Sequence, residues 1–151
     1  MNKITKFLAG SAVLLSATVA LAGGEFGTGE EAKAMLAKAV ENIKADEAGA
    51  LAEMQNGGLG SRDRDLYVFC AQAETGEMTV HPTLPLGTKL QDIVDKSGKK
   101  FGEEMMQVAK PDVIEEVSYV WPRPGDDTTP VEKVSFVTKV TDQICGVGYY
   151  K

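Results

Sequence analysis

Apolar and β-branched residues near the C-terminal end of the chain alternate with polar ones, as in half-buried strands. Three such runs follow one another, at residues 113–121, 131–140 and 143–150. Two prolines and a glycine at 122–125 separate the first two runs, and Thr141-Asp142 separates the last two. Because proline, glycine and aspartate favour turns, the pattern predicts an antiparallel meander of three strands.

The earlier part of the chain predicts helices around a β-hairpin. Leu36, Val40 and Ile43 begin an apolar stripe at helical spacing, and a single stripe of this kind needs another element to pack on. The stripe would pack on the sheet, or pair two chains in a homodimer as a coiled-coil seam. The predicted elements are a long helix at 30–56, strands at 66–73 and 78–81, and short helices at 88–95 and 101–109.

Strand alternation divides the predicted sheet into two unlike faces, because successive side chains point to opposite sides. One face would be apolar, with Val68, Cys70, Val134 and Phe136, and it would receive the long helix. The other would carry rings, a cation, a hydroxyl and two glycines, which suits a small polar pocket. Its members are Tyr67, Phe69, Tyr119, Trp121, Lys133, Ser135, Gly146 and Gly148. A sheet with helices gathered on its faces is an α+β domain.

A basic start, an apolar stretch and the sequence Ala20-Leu21-Ala22 open the chain. This arrangement predicts a secretory signal peptide at residues 1–22, because the apolar stretch is short for a bilayer span. We expect the glycine-rich residues 23–29 to be a flexible linker and residues 30–151 to be a single domain. The mature protein is therefore expected in the periplasm, with no membrane span after signal cleavage.

The acidic balance of the chain argues against nucleic acid as a partner. The formal net charge is −6, and it becomes −8 without residues 1–22, which contain two lysines and no acid. A surface of this charge repels phosphates. The chain also has one histidine, two distant cysteines and no nucleophile, metal or phosphate motif. We expect neither enzyme activity nor a metal or other cofactor.

Cys70 and Cys145 are the two cysteines, far apart in the sequence and each in a predicted strand. An oxidising compartment permits a disulfide between them. Two small buried thiols on neighbouring strands fit the pattern equally well, because paired strands often hold the Cβ atoms too far apart for a bond. The sequence leaves both alternatives open.

Several segments, in this order and spacing, resemble a single Cache domain, the PAS-like extracytoplasmic sensor module of chemoreceptors and sensor kinases. The similarity covers about residues 30–151, and the segments carry it together rather than singly. Residues 65–69, 75–82 and 86–90 resemble the first hairpin of the family and the loop after it. Asp95-Lys-Ser-Gly-Lys-Lys-Phe101 resembles its D-x-x-G-K-x-F element, and 117–122, 132–137 and 146–149 resemble its last three strands.

The resemblance implies a five-stranded antiparallel sheet of order 2-1-5-4-3. The long helix would cover one face, and a ligand would lie on the other face under the two short helices. A small organic acid such as acetate, propionate, pyruvate or lactate is the implied ligand, and sensing is the implied role. Because no transmembrane helix or signalling domain follows Tyr150, we expect a free periplasmic protein that serves a membrane receptor or kinase partner.

Lys133 is the first candidate for the ligand site, because the family keeps a lysine at this point. Its cation would pair with a ligand carboxylate, whereas the alternative is a lysine that reaches solvent at a sheet edge. Tyr119 and Trp121 would supply a hydroxyl, an indole N–H and apolar walls, or serve as ordinary core aromatics.

The remaining candidates surround that cation. His81 would donate to a carboxylate, titrate near neutral pH, or only tether its loop. Tyr67 and Phe69 are pocket wall if the pocket exists and core if it does not. Ser135 shares their sheet face and completes the predicted set.

The favoured interpretation is a periplasmic sensory domain that binds a small carboxylate through Lys133 and shifts its long helix for a partner to read. The alternative is a structural or interaction module with no metabolite, using the stripe that begins at Leu36. A filled interior on the Tyr119 face, with bulky side chains meeting over Gly146, would favour this alternative.

Overall fold

Thr28 starts the first helix in the computed structural model, which describes residues 24–151. The Thr28 hydroxyl accepts a hydrogen bond from the Glu31 amide, and the Glu31 carboxylate accepts one from the Thr28 amide, which is a capping box. The elements in chain order are α1 (Gly29–Ala45), α2 (Glu47–Gln55), β1 (Arg62–Asp63), β2 (Leu66–Gln72), β3 (Met78–Val80), a 3₁₀ turn (Leu90–Asp92), α3 (Phe101–Val108), β4 (Glu115–Pro122), β5 (Pro130–Val140) and β6 (Gln143–Tyr150).

The prediction of one continuous helix at 30–56 is wrong, because Asp46 interrupts it. Asp46 has an extended backbone (φ −155°, ψ 92°), ends α1 and caps α2 by accepting a hydrogen bond from the Gly49 amide at 3.1 Å. Aspartate favours such a cap over a helix interior, because its carboxylate competes for backbone N–H groups.

Five antiparallel strands form the sheet, in the order β3-β2-β6-β5-β4. Counted without the two-residue β1, this is the order 2-1-5-4-3, so the predicted fold class and strand order are confirmed. β1 was not predicted, and it pairs with the start of β2. Each of the five longer strands lies within two residues of its predicted bounds.

The apolar stripe of α1 packs on one face of the sheet. Leu36 and Ile43 are buried in one cluster with Val68, Phe136 and Val147, while Val40 is half-buried at the edge of that cluster. The prediction that the helix packs on this face is therefore correct. A coiled-coil seam through the whole stripe is wrong, because the sheet already covers Leu36 and Ile43.

The opposite face of the sheet lies under α3 and the 3₁₀ turn. Leu90, Phe101 and Met105 are buried there, in a second cluster with side chains of β2, β4 and β5. The short helix predicted at 88–95 is reduced to a single turn. Its first residues instead hydrogen-bond to the hairpin, since the Met78 amide donates to the Thr88 carbonyl at 2.8 Å.

Cys70 and Cys145 form a disulfide between directly paired residues of β2 and β6, with an S–S distance of 2.08 Å. Both side chains are fully buried in the cluster under α1. Of the two alternatives that the sequence leaves open, the structure has the bonded one.

The segment before α1, where the sequence predicts a flexible linker, makes hydrogen bonds to the domain. The Gly27 amide donates to the Asp65 carboxylate at 2.7 Å, and Arg64 donates to the carbonyls of Gly24 and Phe26. The predicted signal peptide at 1–22 lies outside the described residues. Within residues 24–151, none of the helices has both the length and the apolar character that a membrane crossing requires.

Candidate functional site

Lys133 lies in the middle of β5, opposite Tyr119 of β4 and Tyr150 of β6, and its side chain is fully buried. Its Nζ donates to the Tyr67 hydroxyl at 2.9 Å and to the Tyr150 hydroxyl at 3.2 Å. An ammonium has three N–H donors, and among the described residues no carboxylate lies within ion-pair distance of this one. The structure therefore contradicts the alternative of a lysine reaching solvent at a sheet edge.

Burial makes the Lys133 charge easy to lose. Desolvation lowers its pKa from 10.5 to about 7, and the more distant Asp65 carboxylate opposes part of that change. The rings of Tyr67 and Tyr150 lie 4.1 and 4.6 Å from Nζ and stabilise the cation in part. An anion placed beside Nζ would supply the missing countercharge.

Tyr119 and Ser135 bind each other behind the cavity. The Tyr119 hydroxyl lies 2.9 Å from the Ser135 Oγ, and burial raises the pKa of Tyr119, so it stays a neutral phenol. Phe101 stacks on the Tyr119 ring with the centres 4.0 Å apart, and it meets the edge of Trp121 at 5.4 Å. These rings form a wall from α3 to β4.

His81 is held as a neutral ring with a defined tautomer. Its Nδ1 accepts hydrogen bonds from the amides of Thr83 (3.1 Å) and Leu84 (2.9 Å), so the proton lies on Nε2. Burial, together with the positive charges of Lys133 and Arg62, lowers its pKa to about 3. The prediction that His81 titrates near neutral pH is wrong, and the loop-tethering role is present through Nδ1. The Nε2–H remains available as a donor.

The cavity on this face is small, about 20 Å³, which holds about one water molecule. Phe69 fills the space in front of Gly146, where a Cβ atom would meet its ring. Of the predicted site residues, five line the cavity and two lie behind that lining, where Lys133 contacts Tyr67 and Ser135 contacts Tyr119. The lining residues are Tyr67, Phe69, Met78, His81, Leu84, Leu90, Ile93, Phe101, Met105, Tyr119 and Trp121.

A second opening, which we call the Arg123 cleft, adjoins the cavity. It measures about 200 Å³ and shares the side chains of Tyr67 and Trp121 with the cavity lining. Its other walls come from the loop after His81 and from the β4–β5 turn that contains Arg123. Of the two shared side chains, Tyr67 is the one whose hydroxyl contacts Lys133.

Sequence reasoning missed Tyr150 and Arg123. Strand alternation could have identified Tyr150. Because Tyr149 lies on the sheet face that α1 covers, Tyr150 must point to the opposite face, where Lys133 lies. No periodicity could have found Arg123, which lies in a turn. Its Nε donates to Asp65 at 3.3 Å, and its guanidinium lies 5.0 Å from the Tyr150 ring.

Asp95 fastens the loop over the cavity to the sheet. One carboxylate oxygen accepts from the Ser97 amide (2.9 Å), the Ser97 hydroxyl (2.6 Å) and the Lys99 amide (2.9 Å). The other accepts from the Val120 amide of β4 at 3.0 Å. Burial would raise the pKa of Asp95, but these donors lower it to about 2. The loop is thus latched to the edge strand β4.

A family model described as Single Cache domain 2 matches residues 6–150 of the chain. That family consists of ligand-binding sensory modules and is not a family of enzymes. Among curated proteins, none matches the chain at a significant level.

Three solved structures share the fold. A methyl-accepting chemotaxis protein from Vibrio parahaemolyticus is 21% identical, with a TM-score of 0.63 over 80% of this chain and 86% of that one. A periplasmic sensor domain of a chemotaxis protein is 26% identical, with a TM-score of 0.59 over 80% and 88%. A Cache chemosensory domain that recognises carboxylic acid is 27% identical, with a TM-score of 0.59 over 80% of this chain and 86% of that one.

Proposed function

The chain belongs to the single Cache domain family, and from that premise we propose that it is a periplasmic sensory domain for a small carboxylate. The ligand carboxylate would pair with Lys133 Nζ, and the His81 Nε2–H and the Tyr67 hydroxyl would donate further hydrogen bonds. A membrane receptor or kinase would read the liganded state. The relative that recognises carboxylic acids at 27% identity supports this ligand class.

The observation that carries the proposal is a buried ammonium that has no carboxylate partner among residues 24–151. Lys133 contacts the hydroxyls and the rings of two tyrosines, Tyr67 and Tyr150, and both of these side chains are neutral. A structural lysine at this depth would be destabilising without a compensating charge. An anion-binding site explains both the burial of Lys133 and the third N–H donor of its ammonium.

Binding requires the cavity to grow, because about 20 Å³ cannot hold acetate. Tyr67 is the side chain between Lys133 and both openings, so its displacement would bring the Arg123 cleft and the cavity together. The apolar lining from Phe69, Leu90 and Met105 then favours a short aliphatic tail over a polar one.

A thermal-shift screen of C2 to C4 carboxylates, followed by calorimetry, tests the proposal. A ligand at about 100 times its Kd should add roughly 2.7 kcal/mol of stability, which is several degrees in Tm for a domain of this size. Lys133→Met should abolish the shift, whereas Lys139→Met, on the same strand, should preserve it. A carboxylate that binds the Lys133→Met protein equally well would refute the site.

A structural or interaction module without a metabolite is the second candidate. The filled cavity favours it, because Phe69 covers Gly146 and Phe101 stacks on Tyr119. A groove of about 280 Å³, lined by Leu36, Val40 and Ile114 among others, is the surface such a module would use. A flat carboxylate screen together with retained partner capture would support this candidate.

A further inference from the structure

Rings and cations alternate between the buried site and the exposed N-terminal segment. Lys133 Nζ lies 4.1 Å from the centre of the Tyr67 ring and 4.6 Å from that of Tyr150. The Arg123 guanidinium lies 5.0 Å from the same Tyr150 ring and 4.2 Å from the Phe26 ring. We call these five side chains, from Tyr67 to Phe26, the cation–aromatic column.

The outer end of the column is fastened to the start of α1. The Asp65 carboxylate, which is 6% exposed, accepts from the Arg123 Nε at 3.3 Å and from the Gly27 amide at 2.7 Å. Gly27 immediately precedes Thr28, which caps α1. A change in how Arg123 is held therefore reaches the first turn of the helix through Asp65 and Phe26.

Lys133 and Arg123 both contact the Tyr150 ring, so a change in the charge of one affects the contact of the other. Each cation is attracted by the negative face of Tyr150, and the two like charges repel each other in a poorly solvated region. Neutralising Lys133 or Arg123 removes that repulsion, so the remaining cation can interact more closely with the Tyr150 ring. Loss of the Lys133 charge should thus strengthen the Arg123 contacts on both of its sides.

We propose that the cation–aromatic column couples the charge at Lys133 to the N-terminal segment, residues 24–28, so that neutralising Lys133 tightens this segment. A bound carboxylate is the natural neutralising agent, and that part rests on the proposed function. The charge-dependent part does not depend on any ligand. Phe26, which is 44% exposed, is the outermost side chain of the column. Ligand binding at Lys133 would therefore change the protein surface at Phe26.

Hydrogen exchange of the Gly27 amide, followed by NMR without ligand, tests the charge-dependent part. Lys133→Met should slow this exchange by roughly two- to fivefold, the size of one partly exposed cation–π contact. The Gly49 amide, which donates to Asp46 at the start of α2, serves as the reference and should not change. Lys139→Met removes a lysine charge from the same strand and should leave Gly27 unchanged. Equal exchange of Gly27 in the wild-type and Lys133→Met proteins would overturn the coupling.

Arg123→Gln tests the route. Alone, this substitution should accelerate Gly27 exchange, because it removes the guanidinium between Phe26 and Tyr150. Combined with Lys133→Met, it should cancel the slowing that Lys133→Met causes in the wild-type background. If the slowing persists in the double variant, the Lys133 charge acts directly on Asp65 and the column is not the route.

Acetate, with sodium chloride at equal ionic strength as its control, tests the ligand-dependent part. Saturating acetate should protect Gly27 in the wild-type protein and have no effect in Lys133→Met. Slowing by Lys133→Met without any protection by acetate would leave the column standing and count against the proposed ligand class. Protection of Gly27 by acetate that persists in Lys133→Met would overturn the column as its cause.

Discussion

A Cβ atom on Gly148 would occupy the space that the Lys133 stem fills, and it would also meet the Ser135 hydroxyl. The glycine on β6 is therefore what allows a long side chain to lie flat across the sheet between its two tyrosines. Gly148→Ala should displace the ammonium from Tyr67 and Tyr150 and lower the free energy of unfolding by about 1–3 kcal/mol. Urea denaturation measures this loss.

Gly24→Ala is a suitable control for that substitution. The nearest atom to its Cβ would be the Phe26 carbonyl oxygen at 3.7 Å, an ordinary contact, so its effect should stay within about 0.5 kcal/mol. A Gly148→Ala protein as stable as this control would show that the lysine stem can move aside freely.

Removal of the buried ammonium should stabilise the unliganded protein. Below about pH 7 the folded state carries a charged, desolvated Lys133, which the unfolded chain hydrates. Lys133→Met keeps a stem of similar length without the charge, and it should raise the free energy of unfolding near pH 6 by a few kcal/mol. Lys139→Met should change it little. A destabilised Lys133→Met protein would mean that the tyrosine contacts outweigh the desolvation.

The pKa of Lys133 also gives the wild-type stability a slope with pH. Between about pH 7 and 9 the unfolded chain, with a lysine pKa of 10.5, holds more protons than the folded state. The free energy of unfolding should therefore rise with pH, by at most about 1.4 kcal/mol per unit. Burial raises the pKa values of Tyr67, Tyr119 and Tyr150, and these groups act oppositely above pH 10. Lys133→Met should flatten the slope, and parallel slopes would contradict the assignment.

Carboxylate affinity should depend on the same proton. The anion pairs with the protonated lysine, so Kd should be nearly constant below about pH 7 and rise by up to tenfold per unit above it. Calorimetry at about pH 8, in buffers of different ionisation enthalpy, should show proton uptake on binding. Because His81 stays neutral throughout this range, its replacement by asparagine should leave the pH profile unchanged. A Kd independent of pH would exclude Lys133 as the countercharge.

Strand alternation was enough to predict both faces of the sheet, because every second residue from Tyr67 to Phe69 and from Tyr119 to Trp121 must share a side. The stripe of α1 was not enough to find Asp46, since helical spacing resumes after one extended residue. The closed cavity was also beyond the sequence. It depends on where the Phe69 and Phe101 rings rest, and a pattern of residue types does not contain side-chain rotamers.

The Asp95 latch should be worth about 1–3 kcal/mol, the usual effect of losing hydrogen bonds to a buried charged group. In Asp95→Asn the amide nitrogen cannot accept, so the Val120 amide should lose its partner and exchange faster. Asp92→Asn changes an exposed neighbour whose carboxylate makes no such bonds within residues 24–151, and it is the matched control. In the wild-type protein, the contribution of the Asp95 carboxylate to the free energy of unfolding should be complete above pH 3.8 and disappear as pH falls toward about 2. Unchanged Val120 exchange would contradict the latch.

Reduction should destabilise the fold without opening the ligand site. The disulfide joins residues 75 apart, and a loop of this length corresponds to about 4 kcal/mol in the loop-entropy model. Cys70 and Cys145 lie on the α1 face, away from the Lys133 face. A Cys70→Ala/Cys145→Ala protein should therefore unfold at lower urea concentration yet bind carboxylate with an unchanged Kd below its unfolding transition. If the wild-type and double-alanine proteins are equally stable, or if the folded double-alanine protein binds carboxylate with a higher Kd, the disulfide does not act only by constraining the unfolded chain.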